Sequence, residues 1–429
     1  MKPNATHSGG EFDLKGIVRA LRHRNYRLFF AGQGISLIGT WMQRIAMGWL
    51  VYRLTNSAFV LGLVGFTGQI PIFLLTPFAG VLADRLNRHR MLVVTQTLAM
   101  IQAFVLALLI LTGTIAVWHV VSLSVFLGLV DALDMPVRQA FLVEMIENRE
   151  DLGNAIALNS SIVNSARLLG PSFAGILIAY VGEGVCFLLN AISYLAVIAS
   201  LLAMKIVARR MEIRKADFLH SVKEGFSYAY GFPPIRSVLL LISLVSLLGM
   251  PVTVLMPVFA RDILHGDSHT LGFLMGASGM GSLVGAAYLA SRRNILGLEK
   301  WTVLASGIFG AGLIVFSLSR NFFLSLLLMF TTGFGMLVQM ASGNTLLQAV
   351  VDEDKRGRVM SLYTMAFRGM VPFGSLLGGS LANRIGAPAT VLIGGATCVL
   401  GALVFFRKLP LMTTMIRSAY EKKGLVDGG

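Results

Sequence analysis

The chain has 429 residues, of which 55% are hydrophobic and 13% charged, with a formal net charge of +15. A soluble multidomain enzyme does not hold a dozen nearly uncharged runs of about twenty residues, the length that crosses a bilayer as a helix, so the composition is that of a polytopic membrane protein. The basic excess is not a nucleic-acid surface either, since Lys and Arg sit in the N-terminal arm, in every second loop and in the tail.

Taken in order, residues 1–27 form a polar arm whose Lys2, Lys15, Arg19, Arg22 and Arg24 suit a helix lying on an anionic leaflet. Its polarity predicts no cleavable signal peptide ahead of the first span. Twelve spans follow, near 28–51, 58–82, 91–112, 116–136, 154–181, 185–207, 237–259, 270–290, 301–318, 322–347, 358–385 and 387–406. They divide into an N-terminal six-helix bundle at 28–207, a central loop at 208–236, a C-terminal six-helix bundle at 237–406 and a tail at 407–429. Within the central loop, 218–230 reads as an amphipathic helix at the membrane surface. The loops on the opposite side carry only Arg53, Arg261, Arg320 and Arg384. By the positive-inside rule both termini are then cytoplasmic. Cys186 and Cys398 lie inside apolar runs, so no disulfide or metal site is expected.

The turn between the second and third spans, GVLADRLNRHRM at 80–91, is a short run of charge between two uncharged stretches. There Gly80 permits close approach of a neighbouring helix, and Asp84, Arg85 and Arg88 fix charge at the bilayer surface. The two halves also echo each other. NAIALNSSIVNSARLLGPSFAG at 154–175 aligns without a gap on RVMSLYTMAFRGMVPFGSLLGG at 358–379, placing Gly170 on Gly374 and Gly175 on Gly379. Gln139–Ala140 matches Gln348–Ala349, and LADR at 82–85 matches LASR at 289–292. Three matches in one order point to a duplicated six-helix unit, and an even number of helices makes it a parallel repeat.

On these features the sequence resembles the major facilitator superfamily over nearly its whole length. The turn at 80–91 is similar to that family's G-x-x-x-D-R-x-G-R-R loop at Gly80, Asp84, Arg85 and Arg88, while Asn87 and His89 depart from it. The stretch ALDMPVRQAFLVEM at 132–145, followed by NAIALNS, resembles the branch with enterobactin exporters and macrolide-efflux proteins. Gly170, Pro171 and Gly175 resemble the helix-shaping motif of antiporters, with plain close packing as the other reading. The resemblance implies a cytoplasmic gate in which Asp84 sits near the N-terminus of the eleventh span and Arg88 pairs with an acid on the fourth, Asp131 or Asp134, with Arg138 beside them. A carboxylate near a helix N-terminus gains about 0.3–1 kcal/mol. Alternatively these charges only set topology and anchor the loop.

Inside the spans, Asp131 is the deepest acid, with Asp134 second. Partial desolvation there makes protonation feasible near neutral pH, as proton coupling requires. A permanent ion pair with Arg88 or Arg138 is the competing reading. Arg44, Arg167 and Arg368 also fall within spans, where each costs about 2.5–3.5 kcal/mol at mid-bilayer. They must meet water, an acid or an anionic ligand. Gln33, Leu37, Thr40 and Arg44 share one face of the first span, and Ser160, Asn164, Arg167 and Pro171 one face of the fifth. In the eleventh, Thr364 and Arg368 lie in the equivalent register, with Asn164 the repeat mate of Arg368. A central pathway explains these faces; interhelical hydrogen bonding is the alternative, and suits Asn190 and Gln102. The arginines suit an anionic or catecholate-like cargo.

The expectation is therefore an all-α membrane protein of twelve spans, monomeric, in a bacterial inner membrane among lipids. It is read as exporting a small amphipathic molecule, siderophore or drug-like, by alternating access driven by entering protons, without cofactor, metal or nucleic acid. A lysophospholipid or other metabolite carrier, and a non-transporting sensor or assembly protein, are the alternatives. No nucleotide loop or catalytic pairing supports an enzyme, and the glycine-rich runs at 276–285 and 332–335 read as helix-packing sites.

Overall fold

The computed structural model describes residues 19–205, 218–292 and 295–422. Twelve spans run alternately up and down. In the first half these are α1 (Arg24–Thr55), α2 (Ala58–Arg85), α3 (Arg88–Leu111), α4 (Val117–Glu144), α5 (Leu152–Val181) and α6 (Glu183–Leu202). In the second they are α7 (Pro233–Ile263), α8 (Ser268–Ser291), α9 (Leu298–Leu318), α10 (Phe322–Val350), α11 and α12 (Ala387–Lys422). The eleventh, α11, is made of Glu353–Thr364 and Met370–Ile385 joined by a π-turn at Met365–Gly369. A surface helix, Phe218–Gly231, precedes α7. The protein is thus an all-α membrane protein built from two pseudo-symmetric six-helix bundles.

Local chemistry sets the helix starts. Ser57, Asn87, Asp267 and Asn321 each accept a hydrogen bond from a backbone N–H in the first turn that follows them, the usual way to satisfy donors left free at a helix start. The repeat is visible in the backbone too. Gly182, between α5 and α6, and Gly386, between α11 and α12, stand at the spacing that sets Gly175 on Gly379, and both turn with positive φ, 80° and 86°. That conformation suits glycine because no Cβ crowds it.

Ten described helices are long and apolar enough to cross a membrane. The other two spans are instructive. Gln33, Gln43, Arg44 and Arg53 lower the hydropathy of α1. The π-turn divides α11, whose first segment opens with the charged run EDKRGR. Several helices outlast their apolar stretches. The fourth was expected to end near residue 136 and the third to begin near 91; instead α4 continues through Pro136 to Glu144, and α3 starts at Arg88. The helix α12 runs on to Lys422, so the described part of the expected tail is helical and packs Met412, Ile416 and Tyr420 into the second half. A helix does not stop where the bilayer does; polar ends continue in water if they find a surface to pack on.

The core is organised unevenly along the bundle. At the end remote from the chain termini, called here the far side, one buried apolar cluster runs through both halves, from Met42 and Leu50 to Phe259 and Phe316. Toward the termini it divides. One cluster lies wholly in the first half, around Tyr26, Phe141 and Leu201; another lies wholly in the second, around Val303, Leu347 and Tyr420. The halves are therefore sealed at the far side and separate toward the termini.

Candidate functional site: a charged seam between the halves

The far-side seal consists of two related crossings. In the first, α5 meets α8 at Gly175 and Gly272; a Cβ added to Gly175 would lie 2.9 Å from Gly272 Cα. In the second, α11 meets α2 at Gly379 and Gly62, and a Cβ added to Gly379 would lie 2.7 Å from Gly62 Cα. Backbones this close leave no room for a side chain or water. Ser268 Oγ donates to Gly175 O at 3.1 Å. Polar links cross the same end: Tyr52 OH donates to Asp262 Oδ2, and Arg261 Nη1 donates to Asn56 Oδ1 at 2.8 Å. The glycine-rich runs on α8 and α10 do pack helices, with Gly281 and Gly333 bringing the two backbones together.

Below the seal lies a layer of charge. On α4, Asp134 is 1% exposed and accepts hydrogen bonds from Thr95 Oγ1 at 2.8 Å and Gln96 Nε2 at 2.7 Å, and it pairs with Arg138 one turn on. Asp131 is half-buried, within electrostatic reach of Arg44 on α1 and Arg138. Tyr194 on α6 also faces this group, beside Thr40 and Asn190. Asn190 in turn donates to Gln43 Oε1 at 2.6 Å, and Gln43 donates to Gln102 Oε1 at 3.0 Å. That chain ties α1, α3 and α6 together and accounts for Asn190 and Gln102 as interhelical partners.

The three interior arginines meet in this layer. Arg44 lies within electrostatic reach of Arg167 and Arg368 as well as Asp131. Trp41 sits between two of them, with Arg44 Cζ 4.8 Å and Arg167 Cζ 5.8 Å from its ring centroid. A guanidinium over an indole face gains about 0.5–1 kcal/mol when exposed and more when desolvated. The other contacts cross between the halves. Arg167 on α5 reaches Met336 Sδ on α10 at 3.9 Å, and Arg368 on α11 reaches Met135 Sδ on α4 at 3.2 Å. Each half thus extends an arginine from its fifth helix to a methionine on the other's fourth, and Arg368 stands in a π-turn, a feature frequent at functional sites.

Several expectations need correction. Arg88 does pair with an acid on the fourth span, but with Glu144 at 2.7 Å and not with Asp131 or Asp134. The extra turns of α4 beyond Pro136 bring that glutamate to the start of α3. Arg138 pairs with Asp134 in the interior charge layer and does not stand with Arg88 and Glu144. Gln33 is 4% exposed, buried within the first half, while Arg44 on the same helix is exposed. Thr40, Ser160, Asn164 and Thr364 are at least partly exposed, and each bonds a backbone carbonyl of its own helix. Gly170 packs against Trp41, and Pro171 is buried beside it. Gly80, Asp84 and Arg85 close α2, but their surroundings lie outside the described residues. Trp41, Tyr52, Tyr194, Glu144 and Asp262 were missed. Lone aromatic and acidic residues, whether at span ends like Tyr52, Glu144 and Asp262 or inside spans like Trp41 and Tyr194, carry no periodic signal; only the polar atom on each of them could have drawn attention.

At the termini end, the charges secure peripheral segments. His23 Nε2 and Arg19 meet Asp151 at the start of α5, and Ala20 N donates to Asn154 Oδ1 at 2.9 Å. The surface helix binds α11: Glu224 accepts from Lys355 and from Arg358 at 2.7 Å, and Tyr228 OH donates to Asp352 Oδ2 at 3.0 Å.

Two similar bundles, sealed at one end around a polar seam, define a membrane transporter of the major facilitator superfamily. The chain belongs to its transmembrane secretion effector family, whose pattern matches residues 16–425. It is 28% identical over 394 residues to the staphyloferrin A transporter of Staphylococcus aureus (strain NCTC 8325 / PS 47), covering 90% of this chain and 97% of that one. It is 23% identical to macrolide efflux protein A of Streptococcus pyogenes, over 89% and 96% of the two chains. Among solved structures, a bacterial homolog of the human lysosomal transporter Spinster shares the fold, with a TM-score of 0.71, 13% identity and coverage of 96% and 99%.

Proposed function

We propose that this protein exports a small amphipathic molecule, siderophore or drug-like, across the bacterial inner membrane by proton-coupled alternating access. The single observation that carries this reading is the seam itself. Its polar and cationic side chains come from α1, α4, α5 and α11, it is closed at the far side by glycine contacts, and it lies where the two cores part toward the termini. The basic loops assign the termini side to the cytoplasm, so the state described faces inward. Thr40, Arg44, Ser160, Asn164, Arg167, Thr364 and Arg368 line the pathway, and the arginines recognise acidic groups on the cargo through charge-assisted hydrogen bonds. Asp131 is the proton-coupling acid, because Asp134 is fully engaged by Thr95, Gln96 and Arg138. Asp84 and Arg85 form the cytoplasmic gate, which Arg88 anchors within the first half through its pair with Glu144. The relatives above are named for transport of staphyloferrin A and for macrolide efflux, which supports the cargo class.

The test is accumulation of labelled carboxylate and catecholate siderophores, and of macrolides, in inverted vesicles with an acid lumen. The expected result is gradient-dependent accumulation, lost in Asp131→Asn at equal insertion. Accumulation that ignores the gradient would leave a facilitator; none for any cargo would leave a sensor or assembly role.

A further inference from the structure

Away from the seam, on the outer wall of the second half, a cleft of about 600 Å³ opens between the start of α9 and the extended end of α12. Lys300 and Arg417 bring positive charge to it, Glu421 negative charge, and Thr413 and Ser418 hydroxyls. Arg417 Nε and Glu421 Oε1 stand 3.1 Å apart, so both signs are presented side by side. Behind Thr413 is a polar group without a complement. Glu299 is 3% exposed, takes a 3.4 Å bond from Thr413 Oγ1, and its Oε2 has no hydrogen-bond partner among the described residues; neither has the hydroxyl of buried Tyr420. A buried carboxylate oxygen without a donor is costly, and its natural complement is an ammonium.

The position of the cleft narrows the choice of ligand. Arg407 and Lys408 mark where α12 leaves the apolar layer, and the lining begins at the next residue, Leu409. Just inside that level Leu403, Val404 and Phe406 are 53%, 56% and 59% exposed, an apolar strip fit for acyl chains. We propose that this cleft binds the headgroup of a zwitterionic phospholipid bearing a primary ammonium, phosphoethanolamine in chemistry. The phosphate lies against Lys300 and Arg417, the ammonium against Glu421 with buried Glu299 adding negative charge from behind Thr413, and the acyl chains along the exposed strip of α12. The site is separate from the transport pathway and does not depend on the cargo.

The test is native mass spectrometry of the full-length protein, released from micelles doped equally with phosphatidylethanolamine, phosphatidylglycerol and phosphatidylcholine of one acyl composition. One phosphatidylethanolamine should be retained in preference to the other two. Lys300→Gln with Arg417→Gln should lower its retention about tenfold, the worth of one strong charge-assisted contact. Glu421→Gln, at an exposed position that does not threaten folding, should reduce the preference over phosphatidylglycerol, and Glu299→Gln should reduce it further. Equal retention of all three lipids, or a preference untouched by these variants, overturns the proposal. So does protection from heat by free phosphoethanolamine equal to that by the lipid, which would make the ligand a soluble phosphate ester.

Discussion

The two ends of the bundle are held by different forces. At the far side the halves meet through glycine backbones and a shared apolar core, with Tyr52–Asp262 and Asn56–Arg261 added at the edge. At the termini side the cores are separate, and the described ion pairs lie within one half or tie on a peripheral helix, as Arg88–Glu144 and Glu224–Lys355 do. Contact between small residues is short-ranged and leaves no buried charge when it opens, so it suits the surface that the proposed mechanism opens and closes. An ion pair broken inside an apolar wall leaves an uncompensated charge. If the protein works by the alternating access proposed above, the joint that moves is built from shape and the fixed joints from charge.

The harshest way to break that division is to remove a fixed joint at mid-depth. Asp134→Asn leaves half-buried Arg138 without the carboxylate it pairs with, and losing one member of a buried pair costs up to about 3–5 kcal/mol. The melting temperature in detergent should fall sharply. Asp131→Asn is the contrast: that acid is half-buried, so its variant should melt near the parent while losing gradient-driven transport. Equal melting of the two variants would show that the two acids do not divide structural and transport roles.

Next comes the moving joint. Gly175→Leu or Gly379→Leu places a side chain where the partner backbone already stands, and overpacking costs about 1–3 kcal/mol. Because the clash exists only when the far side is closed, the cost should appear as a shift of about five- to a hundredfold away from the closed state. Spin labels at Thr55 and Gly266 should report longer distances, with little change in melting temperature. Tyr52→Phe acts at the same place more gently. It removes one hydrogen bond to Asp262, worth about 0.5–1.5 kcal/mol, and should move the same label distance in the same direction by less.

These contrasts mark what a sequence can and cannot disclose. The duplication was legible because like positions carry like residues: Gly175 and Gly379 are the same joint in two copies, and Gly182 and Gly386 the same turn. Arg44, Arg167 and Arg368 stood out because charge in an apolar run demands a partner. Their neighbours did not. Helical periodicity says which face is polar but not which helix that face will meet, so Gln33 shares a face with Arg44 in projection and is nevertheless buried against another helix. The acid for Arg88 was misplaced for a related reason. Apolarity fades near Pro136, yet α4 continues for two more turns, because a proline removes one backbone donor and need not end a helix that is packed along its length. The Tyr52–Asp262 link was hidden because an acid at the end of a span looks like a loop residue until the opposite half is in place.

The smallest effect concerns a fixed joint outside the membrane, where charge can be titrated. Glu224 on the surface helix accepts a hydrogen bond from Lys355, and this bond, more than the carboxylate of Asp354 beside it, holds the ammonium above the ordinary lysine range. A group whose pKa is raised by folding stabilises the folded arrangement below its unfolded value, about 10.4 for lysine, and loses that contribution as pH rises through the folded value. The Lys355 contact should therefore be intact from neutral pH to the lysine range and be lost only above it, leaving Glu224 its pair with Arg358. A spin label at Phe226, which is 62% exposed, should sharpen across that alkaline step. Tyr228 is raised as well, by burial first, with the Asp352 backbone N–H working against this and the Asp352 carboxylate adding to it, and its loss of a proton would loosen the same helix. Tyr228→Phe removes that second source. In Glu224→Gln the lysine has lost its partner on the surface helix, so Glu224→Gln with Tyr228→Phe should show a mobile label already at neutral pH and no step. A step that persisted in the double variant would mean that the surface helix is held to α11 by something other than these charges, and that the charge-built joint ends at the membrane surface.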